Sequence, residues 1–154
     1  MSEHTAIIRW SRDRQGFTDN RYSRSHYWEF DGGAMVPASA SPAIVPPPQS
    51  DAERVDPEEA FVAALSSCHM LFFLSLAAKS GFIVEQYVDT AAGLVARDAN
   101  GKMAVTKVRL RPQAVYSGAR QPGREQVQDM HSQSQKLCFI ANSVKTEVAI
   151  TVIN

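Results

Sequence analysis

The stretch 56–81 constrains the fold more than any other part of the chain, because it reads as one long helix with a recognisable signal at each end. Asp56 suits the N-cap and Pro57 the first helical position, and Glu59 can close a capping box with Asp56. Gly81 can adopt the left-handed conformation that ends a helix. Residues 60–78 carry no formal charge. The sequence therefore predicts a helix that is apolar on all sides.

Such a helix lies either in a membrane or inside protein. The uncharged run approaches the roughly 20 residues that a transmembrane helix needs. However, it contains several serines, a cysteine and a histidine, and neither an aromatic belt nor a basic flank brackets it. We therefore predict no membrane partner and a helix surrounded by protein. One small subunit has too few elements to cover this helix, so we expect a second copy of the chain to cover the remaining face.

The length and the charge of the chain limit the number of domains and the kinds of partner that it can have. Its 154 residues suit a single domain spanning 1–154, and its 16 acidic and 16 basic residues give no sign of a nucleic-acid partner. The first residues lack the basic segment and apolar core of a secretory signal, which predicts a cytoplasmic location. In that reducing compartment, we expect the two cysteines to be reactive or inert thiols rather than a structural disulfide.

The rest of the chain contains strand patterns and one further helix pattern. A proline-rich connection over 38–49 leads to the long helix. Asn100-Gly101 is a strong hairpin signal, and Pro112 predicts a sheet edge or a break. The order ββ, long helix, βββ, helix, β predicts an α+β fold with an antiparallel meander after the long helix. The predicted strands are 5–10, 26–30, 83–96 with a weak point near Gly93, 102–116 and 147–153, and the second helix is 122–137.

Cys68 lies in the middle of the long helix and Cys138 follows the second helix, and each could be a small buried hydrophobe or a reactive thiol. A reactive thiol needs a nearby positive group, and Cys68 lies too far into its helix for the N-terminal dipole to supply one. Arg21 and Arg24, in the polar segment NRYSRSHYW, are the natural source, although that segment could also be a solvated strand edge. Glu58 is the candidate carboxylate to hold such a guanidinium.

Several segments, in order, give this pattern a family resemblance. They are RYSRSHYWEFDGG, SASPAIVPPP, DPEEAFVAALSSCHM, an Asn-Gly hairpin and LCFIANSV, with a glutamate ten residues before the first cysteine and the second cysteine seventy residues after it. Together they resemble the OsmC/Ohr family of organic hydroperoxide reductases over most of the chain. The resemblance implies an OsmC-like α+β fold, in which antiparallel sheets wrap around a long buried central helix in an intertwined dimer.

The resemblance also implies roles for particular residues. Cys68 would attack the peroxide and become a sulfenic acid, and Cys138 would resolve it as a disulfide. Glu58 and an arginine would complete the site. We favour Arg24 over Arg21, because Arg24 lies two residues before the second predicted strand, whereas Arg21 lies nearer the turn-like residues 18–20. The implied substrates are alkyl or lipid hydroperoxides, no cofactor is bound, and the reductant is a lipoylated protein or another external dithiol.

Two other functions could use the same residues. A metal site built from the cysteines and two histidines is disfavoured, because adjacent residues of a regular helix cannot easily face one tetrahedral ion; its members would be Cys68, His69, His131 and Cys138. His69 lies about 100° around the helix from Cys68, so we expect it to make a buried polar contact instead. The alternative to catalysis is a protein that binds a hydrophobic small molecule or senses oxidation through its thiols. Four apolar helix residues could line a pocket or form ordinary core: Phe61, Met70, Phe72 and Phe73.

The spacing of Glu58 and Cys68 predicts a site that two chains share. Ten residues of helix separate them by about 15 Å along the axis, so an arginine bound to Glu58 could not comfortably reach Cys68 of the same helix. If two copies of the helix cross antiparallel, the Glu58 end of one lies beside the middle of the other. We therefore expect an obligate homodimer in which each active site contains residues from both chains.

Overall fold

The computed structural model describes residues 1–153, and in that range the chain forms eight strands and three helices. The chain divides into two compact units, residues 1–60 and the part from residue 61 onward. The α+β class predicted from the sequence is confirmed, while the single-domain organisation stays a prediction. In chain order, the elements are β1 (Ala6–Arg9), β2 (His26–Phe30), β3 (Met35–Ala38), α1 (Pro57–Lys79), β4 (Ile83–Asp89), β5 (Ala92–Arg97), β6 (Met103–Leu110), β7 (Pro112–Ser117), α2 (Arg124–Leu137), α3 (Phe139–Asn142) and β8 (Glu147–Ile150).

The first unit is built on a three-stranded antiparallel sheet in the order β1-β2-β3. Trp28 in its central strand pairs with Ile8 on one side and with Val36 on the other. Both predicted strands, β1 and β2, are confirmed, whereas β3 is absent from the sequence-based prediction. Its sequence MVPA contains Pro37, which has no N–H for a ladder hydrogen bond and so weakens the strand pattern. The Pro37 carbonyl accepts the Val55 N–H at 3.1 Å, which attaches the segment before α1 to this edge strand.

The second unit contains two small sheets, β4-β7 and β5-β6-β8. The Asn100-Gly101 turn joins the antiparallel hairpin β5-β6, as predicted. The antiparallel arrangement predicted for the two runs after α1 is confirmed, because the β4-β7 pairing continues the β5-β6 hairpin. The final strand, β8, pairs with β6 in parallel, which the sequence did not predict. The final strand is also shorter than predicted and ends at Ile150. The pairing of β8 depends on how α2 and α3 return the chain to the sheet, which local sequence patterns do not encode.

Both strand runs predicted after α1 are broken in two. The first run breaks at residues 90–91 rather than at Gly93, and the second breaks at Arg111, directly before Pro112. Pro112 therefore acts as the predicted break, because proline can begin a strand but cannot donate within a ladder. Asp89 joins the two breaks, since its Oδ1 accepts the Arg111 N–H at 2.6 Å.

Helix α1 has the two ends that its sequence predicts. Asp56 Oδ1 accepts the Glu59 N–H at 2.7 Å, and Glu59 Oε2 accepts the Asp56 N–H at 3.1 Å. These reciprocal bonds are the capping box. Gly81 has a φ of +76°, and the Phe82 N–H donates to the Ala77 carbonyl at 3.0 Å. The glycine thus takes the left-handed conformation that satisfies the last carbonyls of the helix.

Within the second unit, one stripe of α1 is buried. Its four members lie four residues apart, on one face of the helix, and none is more than 1% exposed: Leu65, His69, Phe73 and Ala77. Phe73 and Ala77 pack with Phe82 and Met130, and Leu65 packs with Val108 and Leu110. By contrast, Leu71 is 60% exposed.

Helix α1 is also long and apolar enough to cross a membrane, with a mean hydropathy of 1.9. Core helices of soluble proteins can have the same length and hydropathy. A single chain therefore covers one stripe of α1 and leaves much of its remaining apolar surface open.

Candidate active site

The fold brings the two cysteines together. Cys68 lies in the middle of α1 and is half-buried, while Cys138 lies between α2 and α3 and is 1% exposed. The two free thiols lie near each other. Cys138 also caps α3, because its Sγ accepts the Ala141 N–H at 3.3 Å. The short helix α3 therefore holds Cys138 in its position beside Cys68.

The surroundings of Cys138 keep it protonated. Burial raises the pKa of Cys138 to about 11, and the neighbouring Cys68 acts in the same direction, whereas the N–H groups of Ala141 and Ile140 oppose the shift. At neutral pH, Cys138 therefore keeps its proton. Since the thiolate is the nucleophilic form of cysteine, Cys138 at rest is poorly suited to attack first.

The aromatic residues of α1 divide between core and surface. Phe73 is buried and stacks on His131 with ring centroids 4.2 Å apart, and Phe61 packs against the core of the second unit. For these two, the ordinary core role is correct. Phe72 instead meets Phe139 edge-to-face at 5.3 Å, and Phe139, which directly follows Cys138, is 73% exposed. Phe139 is absent from the sequence-based candidates, although it is the exposed aromatic residue adjacent to a cysteine.

In the first unit, Arg24 is held by its own loop. Its guanidinium donates to the Asn20 carbonyl at 3.1 Å, to Asn20 Oδ1 at 2.8 Å and to the Tyr22 carbonyl, and it stacks on the Tyr22 ring at 3.9 Å. Arg21 is exposed, and its backbone N–H donates to Asp19 Oδ1 at 3.1 Å. Within residues 1–153, neither arginine forms an ion pair. The choice of Arg24 over Arg21 therefore stays a prediction.

An open cavity of about 470 Å³ lies beside Arg24 in the first unit. Phe17 and Tyr22 stack in its wall with ring centroids 4.6 Å apart, and Trp10 meets Tyr22 edge-to-face at 5.4 Å. Small-molecule sites typically measure roughly 300 to 1,000 Å³ and combine apolar walls with a few polar groups. The further lining residues are Ile8, His26, Ser39, Ala40 and Pro57. The cavity thus joins a guanidinium to an aromatic wall, an arrangement that the sequence analysis missed because its residues come from three separate segments.

Glu58 lies in the first turn of α1 and has an unpaired oxygen. Its Oε2 is buried and has no hydrogen-bond partner among residues 1–153. A buried carboxylate oxygen without a donor is costly, because it has lost its water without replacement. Arg24 does not pair with Glu58 in the described chain. The predicted role of Glu58 in holding an arginine stays a prediction, and Oε2 is open to a donor.

His69 and His131 form a buried pair in the second unit. Nε2 of His69 lies 2.9 Å from Nδ1 of His131, and the rings are parallel within 3°. This confirms the buried polar contact predicted for His69. The four residues of the rival metal site therefore divide into a thiol pair and an imidazole pair. Within residues 1–153, no group of three or more His, Cys, Asp or Glu side chains is arranged to hold a metal ion.

Both imidazoles are neutral at physiological pH. Burial lowers the pKa of His69 to about 4, and the nearby Asp89 carboxylate opposes the shift. Burial also lowers the pKa of His131 to about 4, and charge on His69 lowers it further. Asp89 accepts the Ser66 hydroxyl at 2.5 Å. Sequence reasoning missed both Asp89 and Ser66, because their contact joins residues that are distant in the chain and show no local pattern.

Comparison with known proteins connects this arrangement to a family. A family model described as OsmC-like protein matches residues 50–153, and a comparison with curated proteins gives no match. Among solved structures, an OsmC-like protein of unknown function from Vibrio cholerae is 58% identical, with a TM-score of 0.98 over 99% of this chain and 100% of that chain.

More distant structures share the fold. An organic hydroperoxide resistance protein from Elizabethkingia anophelis is 16% identical, with a TM-score of 0.74 over 100% of this chain and 97% of that one. The organic hydroperoxide resistance protein OhrB from Bacillus subtilis is 13% identical, with a TM-score of 0.67 over 99% of this chain and 98% of that one. The family match over most of the chain, together with 58% identity to an OsmC-like protein across nearly its whole length, shows that this chain belongs to the OsmC-like family.

Proposed function

We propose that this protein is a thiol-dependent peroxidase that reduces alkyl or lipid hydroperoxides to alcohols in oxidative stress defence. The observation that carries the proposal is that Cys68 and Cys138 lie near each other while burial keeps the proton on Cys138. This leaves Cys68 as the thiol for the first attack and holds a second thiol ready beside it. The names of two structural relatives, both organic hydroperoxide resistance proteins, point in the same direction.

In the proposed cycle, the Cys68 thiolate attacks the outer oxygen of the hydroperoxide. The S–O bond forms, the O–O bond breaks, and the departing alkoxide takes up a proton to become the alcohol. The Cys138 sulfur then attacks the sulfenic acid of Cys68, which gives a disulfide and one water. An external dithiol, which we propose to be a lipoylated protein, reduces this disulfide and is itself oxidised. One hydroperoxide and one dithiol thus yield one alcohol, one water and one oxidised dithiol.

We assign to Arg24 the stabilisation of charge on the reacting oxygens, because a guanidinium is always charged and donates several hydrogen bonds. The aromatic cavity beside Arg24 supports an organic substrate, since its walls suit an apolar R group better than hydrogen peroxide. In this assignment, Arg24 exchanges its contacts with Asn20 and Tyr22 for contacts with the peroxide.

The direct test compares wild type with Cys68→Ser, Cys138→Ser and the matched control Ser67→Ala, whose exposed hydroxyl lies next to Cys68 on α1. Wild type and Ser67→Ala should consume cumene hydroperoxide with a dithiol reductant, whereas Cys68→Ser should not. Cys138→Ser should accumulate the sulfenic acid at Cys68 and pass to the irreversible sulfinic acid under excess peroxide.

Mass spectrometry of the two thiols after one equivalent of peroxide decides the assignment of roles. Unmodified Cys68 beside oxidised Cys138 would contradict it. Full turnover by Cys138→Ser without overoxidation would show that Cys138 is not the resolving thiol.

The same cavity supports a second candidate function, the binding of a hydrophobic small molecule with the thiols acting as an oxidation sensor. A sensor would react once with peroxide and would not turn over with a dithiol. Multiple turnovers by wild type would therefore exclude this candidate, and a single stoichiometric oxidation would favour it over the peroxidase.

We further propose that the protein works as a homodimer in which Glu58 of one chain and Cys68 of the other serve the same site. Two features support this proposal: the uncovered apolar surface of α1 around Leu71 and the buried Glu58 Oε2 that lacks a donor within residues 1–153. A partner chain could supply both a cover and a guanidinium.

Subunit exchange tests the shared site. Glu58→Ala and Cys68→Ser homodimers should each be inactive, and mixing them should restore one working site per heterodimer. The control is a mixture of Cys68→Ser with Cys138→Ser, because both thiols lie in one unit of one chain and their separation should not restore turnover. A fully active monomer by light scattering, or no recovery after efficient exchange, would contradict the proposal.

A further inference from the structure

The second unit contains two cavities that the proposed peroxidase chemistry does not use. Their volumes are about 450 Å³ and about 230 Å³, and they share four lining residues: Arg124, Val127, His131 and Val152. They lie between one face of α2, strand β7 and the chain at and after the end of β8. Since they adjoin, a single ligand could extend through both, and the larger cavity alone falls within the range of roughly 300 to 1,000 Å³ typical of small-molecule sites.

The polar groups of these cavities are incompletely satisfied by protein. His131 lines both cavities although it is only 3% exposed. Its Nδ1 is engaged with His69, and no hydrogen bond to its Nε2 occurs among residues 1–153. Tyr116 lines the smaller cavity, and its buried hydroxyl has no partner among the described residues. Buried polar groups of folded proteins normally have partners, so the unpartnered Tyr116 hydroxyl points to a ligand.

The charge of the residues that line the two cavities indicates which kind of ligand they would bind. Arg124 is the one formally charged residue among the residues that line either cavity, and no acidic side chain accompanies it. Arg124 forms no ion pair within residues 1–153. A guanidinium matches a carboxylate in charge and in geometry, whereas a phosphate dianion would keep an uncompensated charge. The smaller cavity has a mostly apolar wall, which includes Ala114, Val127 and Ile153. The larger cavity has a more polar wall, in which Gln128, Ser132 and Gln135 accompany Arg124.

We propose that this double cavity binds a small carboxylic acid with an apolar body, whose carboxylate pairs with Arg124 while its neighbouring atoms meet His131 and the Tyr116 hydroxyl. The site is distinct from the thiol pair and is connected to it through the imidazole pair. His131 touches His69, and His69 follows Cys68 in the chain. A ligand that contacts His131 would therefore also be sensed by the His69 ring.

The test is a titration of protein carrying ¹⁵N-histidine, with hexanoate as the probe and hexanamide as its uncharged analogue. The ring signals of His131 should shift saturably with hexanoate, and those of His69 should follow. Hexanamide should bind about tenfold more weakly, as expected for the loss of one charge-assisted pair. Loss of one set of signals in His131→Gln assigns the resonances.

Three variants complete the experiment. Arg124→Gln should weaken hexanoate binding by about tenfold, while Arg109→Gln, which removes an exposed arginine of β6 outside the cavities, should leave it unchanged. Tyr116→Phe removes only the buried hydroxyl and should also weaken binding. The proposal is overturned if millimolar hexanoate does not shift the His131 signals, if hexanamide binds as tightly as hexanoate, or if Arg124→Gln binds like wild type.

Discussion

The buried imidazole pair makes the stability of the protein depend on pH in a way that can be calculated. Folding lowers the pKa of His69 and of His131 from 6.5 to about 4, so the folded chain favours the neutral rings. A depressed histidine pKa gives stability that is fully present above pH 6.5 and is lost as the pH falls toward 4. The unfolded chain binds protons in that window, whereas the folded chain does not.

The magnitude follows from the two pKa values. Between pH 8 and pH 5, one imidazole with these values loses about 2 kcal/mol of unfolding free energy, and the pair loses about 4 kcal/mol. Since domains are stable by about 5 to 15 kcal/mol, this loss is a large share of the total. The rings are 1% and 3% exposed, so water does not screen the effect in the folded chain.

The assay is urea unfolding followed by far-UV circular dichroism at pH 8 and pH 5, at one fixed protein concentration. A double variant, His69→Gln with His131→Gln, keeps hydrogen-bonding side chains but cannot titrate in this range. Its loss between the two pH values should be smaller than that of wild type by about 4 kcal/mol. His131→Gln alone should show about half of this difference, and His4→Gln, at an exposed position, should show none. An equal loss in wild type and in the double variant would refute the reasoning.

Two further predictions concern stability and use the same urea assay. Gly93→Ala should destabilise the protein by about 1 to 3 kcal/mol, because the new Cβ would lie 2.6 Å from Val62 Cγ2. The control Gly32→Ala should change the stability little, because its Cβ would meet nothing within 4 Å. Equal losses of stability in the two variants would contradict the predicted clash. Asp56→Ala removes the acceptor of the Glu59 N–H and should cost about 1 kcal/mol. An unchanged urea midpoint would show that the capping box does not stabilise α1.

The contacts of Arg24 show that a sequence can name a candidate residue without revealing its surroundings. The segment RYSRSHYW gives the arginine and its approximate position before β2. It does not reveal that Asn20 and Tyr22 hold the guanidinium or that aromatic rings from other segments enclose a cavity beside it. Those features depend on how the loop before β2 folds back on the sheet.

Local signals in the sequence determined the elements whose stabilising contacts lie within a few residues. The capping box of α1, its glycine end and the Asn-Gly hairpin all close over short spans, so their residues identify them. The family motifs identified Cys68 and Cys138 in the same way, as residue types at fixed spacing.

Tertiary structure decided the features that join distant parts of the chain. The parallel pairing of β8 with β6, the joined breaks at Asp89 and Arg111, and the partition of two cysteines and two histidines into separate pairs all follow from packing around α1. Each needs contacts between residues far apart in sequence, whose energies depend on burial and on the exclusion of water. Neither sequence periodicity nor short motifs predict these contacts, because the contacts form only when the chain folds.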